Sequence, residues 1–390
     1  MEYFADLHVH IGQSCGRPVK VAASRQLTLD AIIKTCVDVK GLNIVGVVDC
    51  ASPSVLSEIK EKIHSGELEE LPKGGLSYRG RLTLILGAEI ETAEGKGVAH
   101  SVAYFPHFKQ MEEFSNLLQK YITNIYLSSQ RASLKARELL HIVKNLGGKL
   151  VPAHVFTPFK SFYGSCYDRI SSAFGDQFDD VATVELGLSA DSDLADRIKE
   201  LSVKKFITNS DAHSLDNIGR EYNKIKLDNP DFESLFEAIG GKSSNSKILA
   251  NYGLDPRLGK YHRTFCLSCN YVADAEPPVL SCPRCSGEKI VVGVLDRITS
   301  IADYKESLHP QERPPYYYNI PLKFIPGIGR RTSERLIKAF GSEINVLHQV
   351  PLEDLESEVG TAVAEKIIAA RTGALKLKAG GGGIYGKIIS

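Results

Sequence analysis

Short apolar segments that end in His, Asp or Glu recur through the first half of this sequence and limit the folds open to it. Six occur, at residues 3–10, 42–49, 82–89, 149–154, 181–185 and 206–213, and a seventh apolar segment at 98–105 carries His100 within it. Helical periodicity lies between several of them, at residues 28–40 after the N-cap Thr28, at 54–63, and twice between 108 and 146. Buried strands that alternate with helices are typical of parallel strands joined by crossover helices. Polar residues at the carboxyl ends favour an α/β fold, a distorted seven-stranded (β/α) barrel with its chemistry at that rim.

The side chains at these strand ends are of the types that bind metals. His8 and His10 are two residues apart on a strand, so both lie on one face and can bind one ion. Such a pair alone is often only a pair of ordinary histidines, but later strands add ligands at the same rim, namely Asp49, Glu89, His100, His154, Asp211 and His213. These types suit zinc, manganese or iron, and neighbouring ions activate water for phosphoester hydrolysis. No Gly-rich phosphate loop or Gly-x-Ser-x-Gly elbow competes with this prediction.

The order of these motifs resembles that of the PHP (polymerase and histidinol phosphatase) superfamily. The matching motifs are Asp6-Leu7-His8-Val9-His10, Gly87-Ala88-Glu89, His100 on an apolar strand, Pro152-Ala153-His154 and Ser210-Asp211-Ala212-His213. The resemblance implies a PHP-type barrel with three metal ions, which hydrolyses phosphoesters by a metal-activated hydroxide. It implies that the first ion is held by His8, His10, Glu89 and Asp211, and the second by Glu89, His100 and His154. The expected catalytic residues are Asp211, Glu89 and His213.

The third ion is where the sequence departs from the superfamily. Many relatives carry Thr-Asp-His after the second strand, whereas this chain has Val48-Asp49-Cys50. Asp49 and His213 are left to bind the ion, with Cys50, Cys15 or Gln13 as candidate helpers. The favoured alternative for Cys50 is a small buried apolar residue, because free cysteines often have that role.

Four aromatic residues follow His154 in one loop, namely Phe156, Phe159, Phe162 and Tyr163. The sequence leaves two interpretations equally open. The rings either pack beneath the loop, or they form a wall beside the metal site on which a flipped base stacks.

Two Cys-x-x-Cys pairs follow a Ser/Gly-rich linker at residues 240–246. Twelve residues separate the pair Cys266 and Cys269 from the pair Cys282 and Cys285, a spacing that predicts one tetrahedral structural zinc site. A thioredoxin-like redox motif is the alternative, but the presence of two pairs and the lack of a flanking βαβ pattern count against it. The other four cysteines are scattered, which fits a reducing compartment better than a disulfide framework.

The last third of the sequence carries features of DNA binding. Gly327 and Gly329 precede a helical stretch, as in the hairpin of a helix-hairpin-helix element, where backbone amides approach a phosphate. Side chains expected at the same phosphates are those of Arg330, Arg331, Thr332 and Arg335. Residues 355–371 repeat the scheme more weakly, and an ordinary turn before a capped helix is the alternative for both. Residues 313–318 are interpreted as an extended spacer, with a contact strip as the alternative, and residues 380–383 as a flexible tail.

The earlier and later parts of the chain differ only mildly in net charge. The chain has 47 basic and 47 acidic residues, so no overall field attracts a polyanion. From residue 257 onward there are 18 basic and 14 acidic side chains, which leaves 29 and 33 before it. The later part thus favours an anionic partner and the earlier part favours cations. Since no signal-peptide pattern or membrane-length apolar run is present, we expect a soluble, cytoplasmic, nucleoid-associated protein.

A metallophosphoesterase barrel, a four-cysteine zinc unit and a helix-hairpin-helix tail, in that order, resemble the endonuclease Q family. The predicted domains are residues 1–250, 251–312 and 313–390. The resemblance implies a DNA repair endonuclease that cuts on the 5′ side of deaminated bases (uracil, hypoxanthine, xanthine) and abasic sites. Expected cofactors are Zn²⁺ in both sites, with Mn²⁺ or Mg²⁺ as active-site alternatives. Damaged double- or single-stranded DNA is the expected partner, and a sliding clamp is a candidate partner that no motif identifies.

Two other functions fit parts of the sequence. A small-molecule phosphomonoesterase of the PHP superfamily would account for the barrel but not for the tail. A DNA-binding adaptor with an inactive barrel would account for the tail and for the incomplete third ion site.

Overall fold

The computed structural model describes residues 1–243, 245–287 and 289–389. Its first part is built from strands β1 (Glu2–Val9), β2 (Gln13–Ser14), β3 (Arg17–Pro18), β4 (Ile44–Val47), β5 (Leu68–Glu70), β6 (Leu76–Tyr78), β7 (Leu82–Glu94), β8 (Gly97–Phe105), β9 (Arg131–Ala132), β10 (Lys149–Pro152), β11 (Thr183–Glu185), β12 (Lys205–Ile207), β13 (Tyr222–Lys226) and β14 (Lys247–Gly253). The helices of this part are α1 (Leu29–Thr35), α2 (Pro53–His64), α3 (Phe108–Leu118), α4 (Ala136–Asn145), α5 (Ser171–Phe174), α6 (Ser192–Ala195) and α7 (Phe232–Ile239).

The helices predicted between the early strands are confirmed. The hydroxyl of Thr28 accepts a hydrogen bond from the amide of Ala31 and caps α1, which continues as a π-helix over Cys36–Lys40. Gly41 ends this helix with a φ of 80°, a left-handed conformation that glycine adopts without strain. Helix α2 and the pair α3 and α4 coincide with the remaining predicted helices within a few residues.

The main sheet has the strand order β10-β8-β7-β4-β1-β13-β14. Strands β1, β4 and β7 run parallel, as do β11 and β12 in a separate pair. The expectation of parallel strands throughout is wrong, because β8, β10, β13 and β14 pair antiparallel with their neighbours. The physical reason is clearest between β7 and β8, where a two-residue turn at Gly95 leaves no room for a crossover helix.

The pair β11–β12 closes the sheet into a distorted barrel. On one side, the amide of Val155 after β10 donates to Glu185 O at 2.9 Å. On the other side, side-chain amides replace a backbone ladder: Asn223 Oδ1 accepts from Thr208 N at 3.0 Å, and Asn251 Nδ2 donates to Phe206 O at 3.1 Å. The strands β13 and β14 that supply these asparagines were not predicted, since their polar residues resemble a loop in the sequence. The predicted α/β barrel is therefore confirmed, with mixed strand directions.

The second half contains β15 (Phe265–Cys266), β16 (Ile290–Val291), α8 (Val294–Ile301), β17 (Tyr316–Tyr318), α9 (Arg330–Phe340), α10 (Glu343–His348), α11 (Leu352–Val359), α12 (Thr361–Arg371), β18 (Lys376–Lys378) and β19 (Lys387–Ile389). Helices α9 to α12 pack around their own apolar core, which includes Leu336, Leu355, Ala364 and Ile367. The predicted helical C-terminal region is therefore present. No helix among the described residues combines the length and apolar character needed to span a lipid bilayer.

Two segments interpreted as free make contacts with earlier parts of the chain. Residues 313–318 are not a spacer, because β17 pairs with β14 and the buried Arg313 guanidinium binds Asp196 Oδ1 at 2.6 Å. Residues 380–383 pack against residues 257–260, because Gly380 N donates to Arg257 O at 2.7 Å and Gly383 N donates to Lys260 O at 3.2 Å. A Cβ at Gly380 would lie 2.5 Å from Gly259 O, so this contact requires glycine. The predicted boundary at residue 250 falls inside β14, and Ser244 of the linker lies outside the described residues.

Candidate metal centre

Three ligand atoms from two strand ends converge on one point. His8 Nε2 and His10 Nε2 lie 3.6 Å and 3.3 Å from Asp211 Oδ1. Both rings are fully buried, and none of the three atoms has a hydrogen-bond partner among the described residues. Buried polar atoms are normally paired, so three unpaired atoms that face one point fit a bound cation. The predicted ligands His8, His10 and Asp211 form a group of this kind.

A second ligand group lies beside the first. Glu89 Oε1 is 2.7 Å from His100 Nδ1 and 3.4 Å from His154 Nε2, and the three side chains form a buried group. The two oxygens of Glu89 also lie 3.5 Å from His8 Nε2 and 3.6 Å from His10 Nε2. Glu89 is therefore placed between the two groups, where a carboxylate can bridge two ions.

A carboxylate orients each histidine of the first group. His8 Nδ1 is 3.0 Å from Glu185 Oε2, and His10 Nδ1 is 3.0 Å from Asp49 Oδ1. A proton on each Nδ1 leaves Nε2 free as a ligand, which is the carboxylate–histidine arrangement common in metal sites. The sequence placed Glu185 at a strand end but gave it no role, so it is a site residue that sequence reasoning missed.

Asp49 is placed differently from the prediction that it binds a third ion. Its oxygens accept hydrogen bonds from Ile11 N at 2.5 Å, from the Ser128 hydroxyl and from His10 Nδ1. His213 lies at the rim, where its Nδ1 is 3.0 Å from Asp211 O and its ring centroid is 4.5 Å from that of His10. In residues 1–243, 245–287 and 289–389, neither side chain belongs to a group of three ligand atoms.

The two cysteines that are candidate helpers of the third ion do not gather around it either. Cys50 is buried and its thiol donates to Val47 O at 3.2 Å, which confirms the interpretation of Cys50 as a small apolar residue. Burial raises the pKa of this thiol, so it does not supply a thiolate. Cys15 lies outside the ligand groups of the described residues, and Gln13 stays a candidate helper.

A lysine that the sequence did not single out enters the centre. Lys20 Nζ lies 2.8 Å from Glu89 Oε2, and the Ser129 hydroxyl is its second partner. The lysine lies in an irregular loop, where no periodicity points to a buried position.

The histidines and the lysine around the two ligand carboxyl groups, Asp211 and Glu89, determine whether these carboxyl groups are ionised. Burial raises the pKa of Asp211, but the close approach of His10 and the nearby His8 and His213 outweigh it and hold the pKa well below its usual value. Burial likewise opposes ionisation of Glu89, yet His100, Lys20 and His10 lower its pKa well below normal. Both carboxylates are therefore charged and ready to bind cations.

The backbone is also unusual at two ligands. His154 and Asp211 have φ values of 31° and 44°, a left-handed region that is rare for residues other than glycine. Strained conformations of this kind persist only where surrounding contacts impose them, and they are concentrated at functional sites.

The aromatic rings after His154 were interpreted either as packed beneath their loop or as a stacking wall for a base. Phe156, Phe162 and Tyr163 are fully buried, and Phe156 stacks on Tyr163 with ring centroids 5.0 Å apart. These three rings cannot form a base-stacking wall, because they pack in the core beneath the loop. Phe159 differs, since it is 52% exposed and its ring meets Tyr261 edge to face at 5.6 Å.

The four cysteines form a separate cluster. Cys266 Sγ is 3.7 Å from Cys285 Sγ, and Cys269 Sγ is 3.6 Å from Cys282 Sγ. Zn–S bonds of about 2.3 Å place the sulfurs of a tetrahedral site about 3.8 Å apart, so these distances fit one zinc ion. All four positions are filled by protein, which indicates a structural site.

The predicted hairpin precedes α9 as expected. Gly327 has a φ of 97°, Gly329 is the N-cap, and both are exposed. Arg330, Arg331 and Arg335 are exposed on α9, Thr332 is half-buried, and Gly360, with a φ of 79°, makes the equivalent break between α11 and α12. The two helical hairpins predicted from the sequence are therefore present, and their contact with DNA stays a prediction.

Comparisons with known proteins extend these observations to the whole chain. Residues 191–242 match the family model described as PHP-associated. The chain is 44% identical to the uncharacterized protein YqxK of Bacillus subtilis, over 99% of this chain and 98% of that protein. It is similar, with a TM-score of 0.85 and 34% identity, to the lesion-specific endonuclease PfuEndoQ from Pyrococcus furiosus, over 100% of this chain and 95% of that one. A structure of endonuclease Q in complex with a 27-mer duplex substrate, with an abasic lesion at the active site, matches with a TM-score of 0.85 and 35% identity, over 100% of this chain and 96% of that one. The chain belongs to the endonuclease Q family.

Proposed function

We propose that this protein is a metal-dependent DNA repair endonuclease that hydrolyses the phosphodiester bond on the 5′ side of abasic sites and of deaminated bases. The observation that carries the proposal is the pair of buried ligand groups joined by Glu89, where the two oxygens lie 3.5 Å and 3.6 Å from the histidines of the first group. The choice of DNA rests on similarity along the whole chain to an endonuclease whose structure holds an abasic duplex.

Divalent ions bound by these groups would polarise the phosphodiester and lower the pKa of a water molecule. The chain's own contribution is to hold the ligands in place before substrate arrives. Glu185 and Asp49 keep the Nε2 atoms of His8 and His10 directed at Asp211. The low pKa of Asp211 leaves it without a proton to donate, so it acts as a ligand. The expected products carry a 3′-hydroxyl and a 5′-phosphate.

Two further parts of the chain would hold the DNA. The exposed glycines and arginines at the start of α9 offer backbone amides and positive charge to phosphates. Next to the ligand His154, Phe159 is the ring of the aromatic loop that is still available to a displaced base. Its partner Tyr261 belongs to the part of the chain that leads into the four-cysteine unit.

The test uses duplexes with a single abasic site, uracil or hypoxanthine, and an undamaged duplex, each incubated with Mn²⁺ or Mg²⁺. We expect a nick on the 5′ side of each lesion and no nick in the undamaged duplex. Asp211→Asn should abolish nicking while DNA binding is retained, because it removes an ion ligand and no predicted phosphate contact. Asp176→Asn is the matched control, since its side chain is 85% exposed and far in sequence from the ligands. Hydrolysis of histidinol phosphate without nicking would favour a phosphomonoesterase, and binding without any hydrolysis would favour an adaptor.

A further inference from the structure

One ammonium group lies inside the metal centre. Lys20 follows the β2–β3 hairpin, and its backbone amide donates to Ile11 O at 3.0 Å, which fixes its loop against the end of β1. Its side chain is only 12% exposed and runs inward to Glu89, where Nζ lies 2.8 Å from Oε2. Ser129 provides the second polar contact. The chain therefore places a cation of its own beside the carboxylate that joins the two ligand groups.

A third metal ion, in contrast, finds few ligands. Asp49 already accepts from Ile11 N, from Ser128 and from His10 Nδ1, which approaches both of its oxygens, so most of the lone-pair sites of this carboxylate are taken. His213 lies with Nδ1 3.0 Å from Asp211 O, and among the described residues it belongs to no group of three ligand atoms. A third ion at Asp49 would have to displace the contacts of that carboxylate.

The balance of charges at the centre also disfavours a third metal ion. Glu91, which lies 3.4 Å from His100 Nε2, is already paired with Arg131 and Lys160. The other carboxylates beside the ligand groups are those of Asp49, Glu89, Glu185 and Asp211, and with one phosphodiester they carry five negative charges. Two divalent ions and one lysine carry five positive charges. A third divalent ion would leave an excess of two positive charges in a buried site, where uncompensated charge is costly.

We propose that the Lys20 ammonium takes the place of the third metal ion, so that the working centre holds two divalent ions. Lys20 is a positioning residue that acts through Glu89 by balancing its charge and fixing its Oε2. The phosphodiester charge in this balance rests on the proposed function, but the number of ions in the free protein does not depend on any substrate.

Three variants of the full chain test this proposal. Lys20→Met removes the charge and keeps an apolar stem, whereas Lys20→Arg keeps the charge. Lys204→Met is the matched control, because Lys204 is also buried but its Nζ donates to Phe178 O away from the ligands. Each protein is dialysed against Mn²⁺, zinc and manganese per chain are measured by elemental analysis, and nicking of the abasic duplex is followed at saturating metal. Melting temperatures show whether each variant is folded.

In the wild type and in Lys204→Met we expect one ion at the cysteines and two at the centre. Lys20→Met should keep both centre ions or gain a third, since loss of a positive charge cannot weaken cation binding by repulsion, and should nick about 100-fold more slowly, as when one preorganised donor is lost. Lys20→Arg should recover most of the rate. Three centre ions in the wild type, loss of an ion in Lys20→Met, or nicking by Lys20→Met at the wild-type rate would overturn the proposal. If the wild type nicks no lesion, the proposed function fails, and the ion counts still decide the role of Lys20.

Discussion

The substitution Glu185→Gln tests whether the carboxylate behind His8 sets the affinity of the metal centre. Glu185 Oε2 is 3.0 Å from His8 Nδ1 and accepts from Asn209 Nδ2 at 2.9 Å, while Oε1 accepts from His154 N at 3.2 Å. Glutamine has only one side-chain oxygen, so it can accept either from His154 N or from the pair of His8 and Asn209, but not from both. Its amide group must face either the backbone amide of His154 or the pair of His8 and Asn209. In the second case it donates to His8 Nδ1, and the ring proton moves to Nε2, the atom that must bind the ion.

The expected magnitude follows from these contacts. Loss of a carboxylate that orients a ligating histidine lowers metal affinity about 10- to 100-fold, or about 1.4–2.8 kcal/mol. A buried donor left facing another donor costs a further 1–3 kcal/mol or so of folding free energy. Glu185→Gln should therefore bind Mn²⁺ more weakly, unfold at a lower temperature, and recover nicking when Mn²⁺ is raised.

Isothermal titration with Mn²⁺ measures the first effect, and nicking across a Mn²⁺ series measures the recovery. Glu221→Gln is the matched control, because Glu221 is also fully buried but accepts a hydrogen bond from Leu254 N at 2.8 Å, and burial raises its pKa well above the usual value. A neutral side chain is thus already favoured at that position. Unchanged Mn²⁺ affinity in Glu185→Gln, or an equal loss in Glu221→Gln, would refute the role given to Glu185.

Other predictions concern separate parts of the molecule. Gly329→Ala should leave the melting temperature nearly unchanged, since a Cβ there would meet no atom of the described residues within 4 Å, but should weaken DNA affinity measured by fluorescence anisotropy; unchanged affinity would remove this glycine from the interface. Burial opposes protonation of His8, yet Glu185, Glu89 and Asp211 outweigh it and hold its pKa well above the usual value. The metal-free ring is then protonated at neutral pH and must release that proton, so Mn²⁺ affinity should fall as the pH drops from about 8 to about 6; affinity independent of pH would contradict this. Cys282→Ser should remove one zinc per chain and lower the melting temperature, whereas unchanged zinc content would exclude a four-cysteine site.

The ligands were predictable because each lies at the end of an apolar strand, where the period of two and the residue type can be read directly. His8 and His10 share a face of β1, and Glu89, His100 and His154 come from strands that are neighbours in the sheet. The direction of those strands was less predictable. A two-residue turn between β7 and β8 makes them antiparallel. Glu89 and His100 still meet, because Glu89 pairs with residue 102 and residue 91 pairs with His100, which makes Glu89 and His100 diagonal neighbours across the hairpin.

The features of the centre that the sequence did not predict depend on which atom of a side chain faces which neighbour, and not on where the residue lies in the chain. Asp49 was predicted at the correct rim, but its role depends on which nitrogen of His10 faces it. Because Nδ1 faces Asp49, Nε2 faces Asp211, and the carboxylate orients a ligand instead of serving as one. Nothing in a one-dimensional pattern distinguishes these two arrangements, and the same holds for Glu185, which approaches His8 only because β11–β12 closes the barrel. Lys20 reaches Glu89 from a loop without periodicity. A centre with two ions and one lysine therefore has almost the same sequence motifs as a centre with three ions, and the difference lies in hydrogen bonds that form only after the chain has folded.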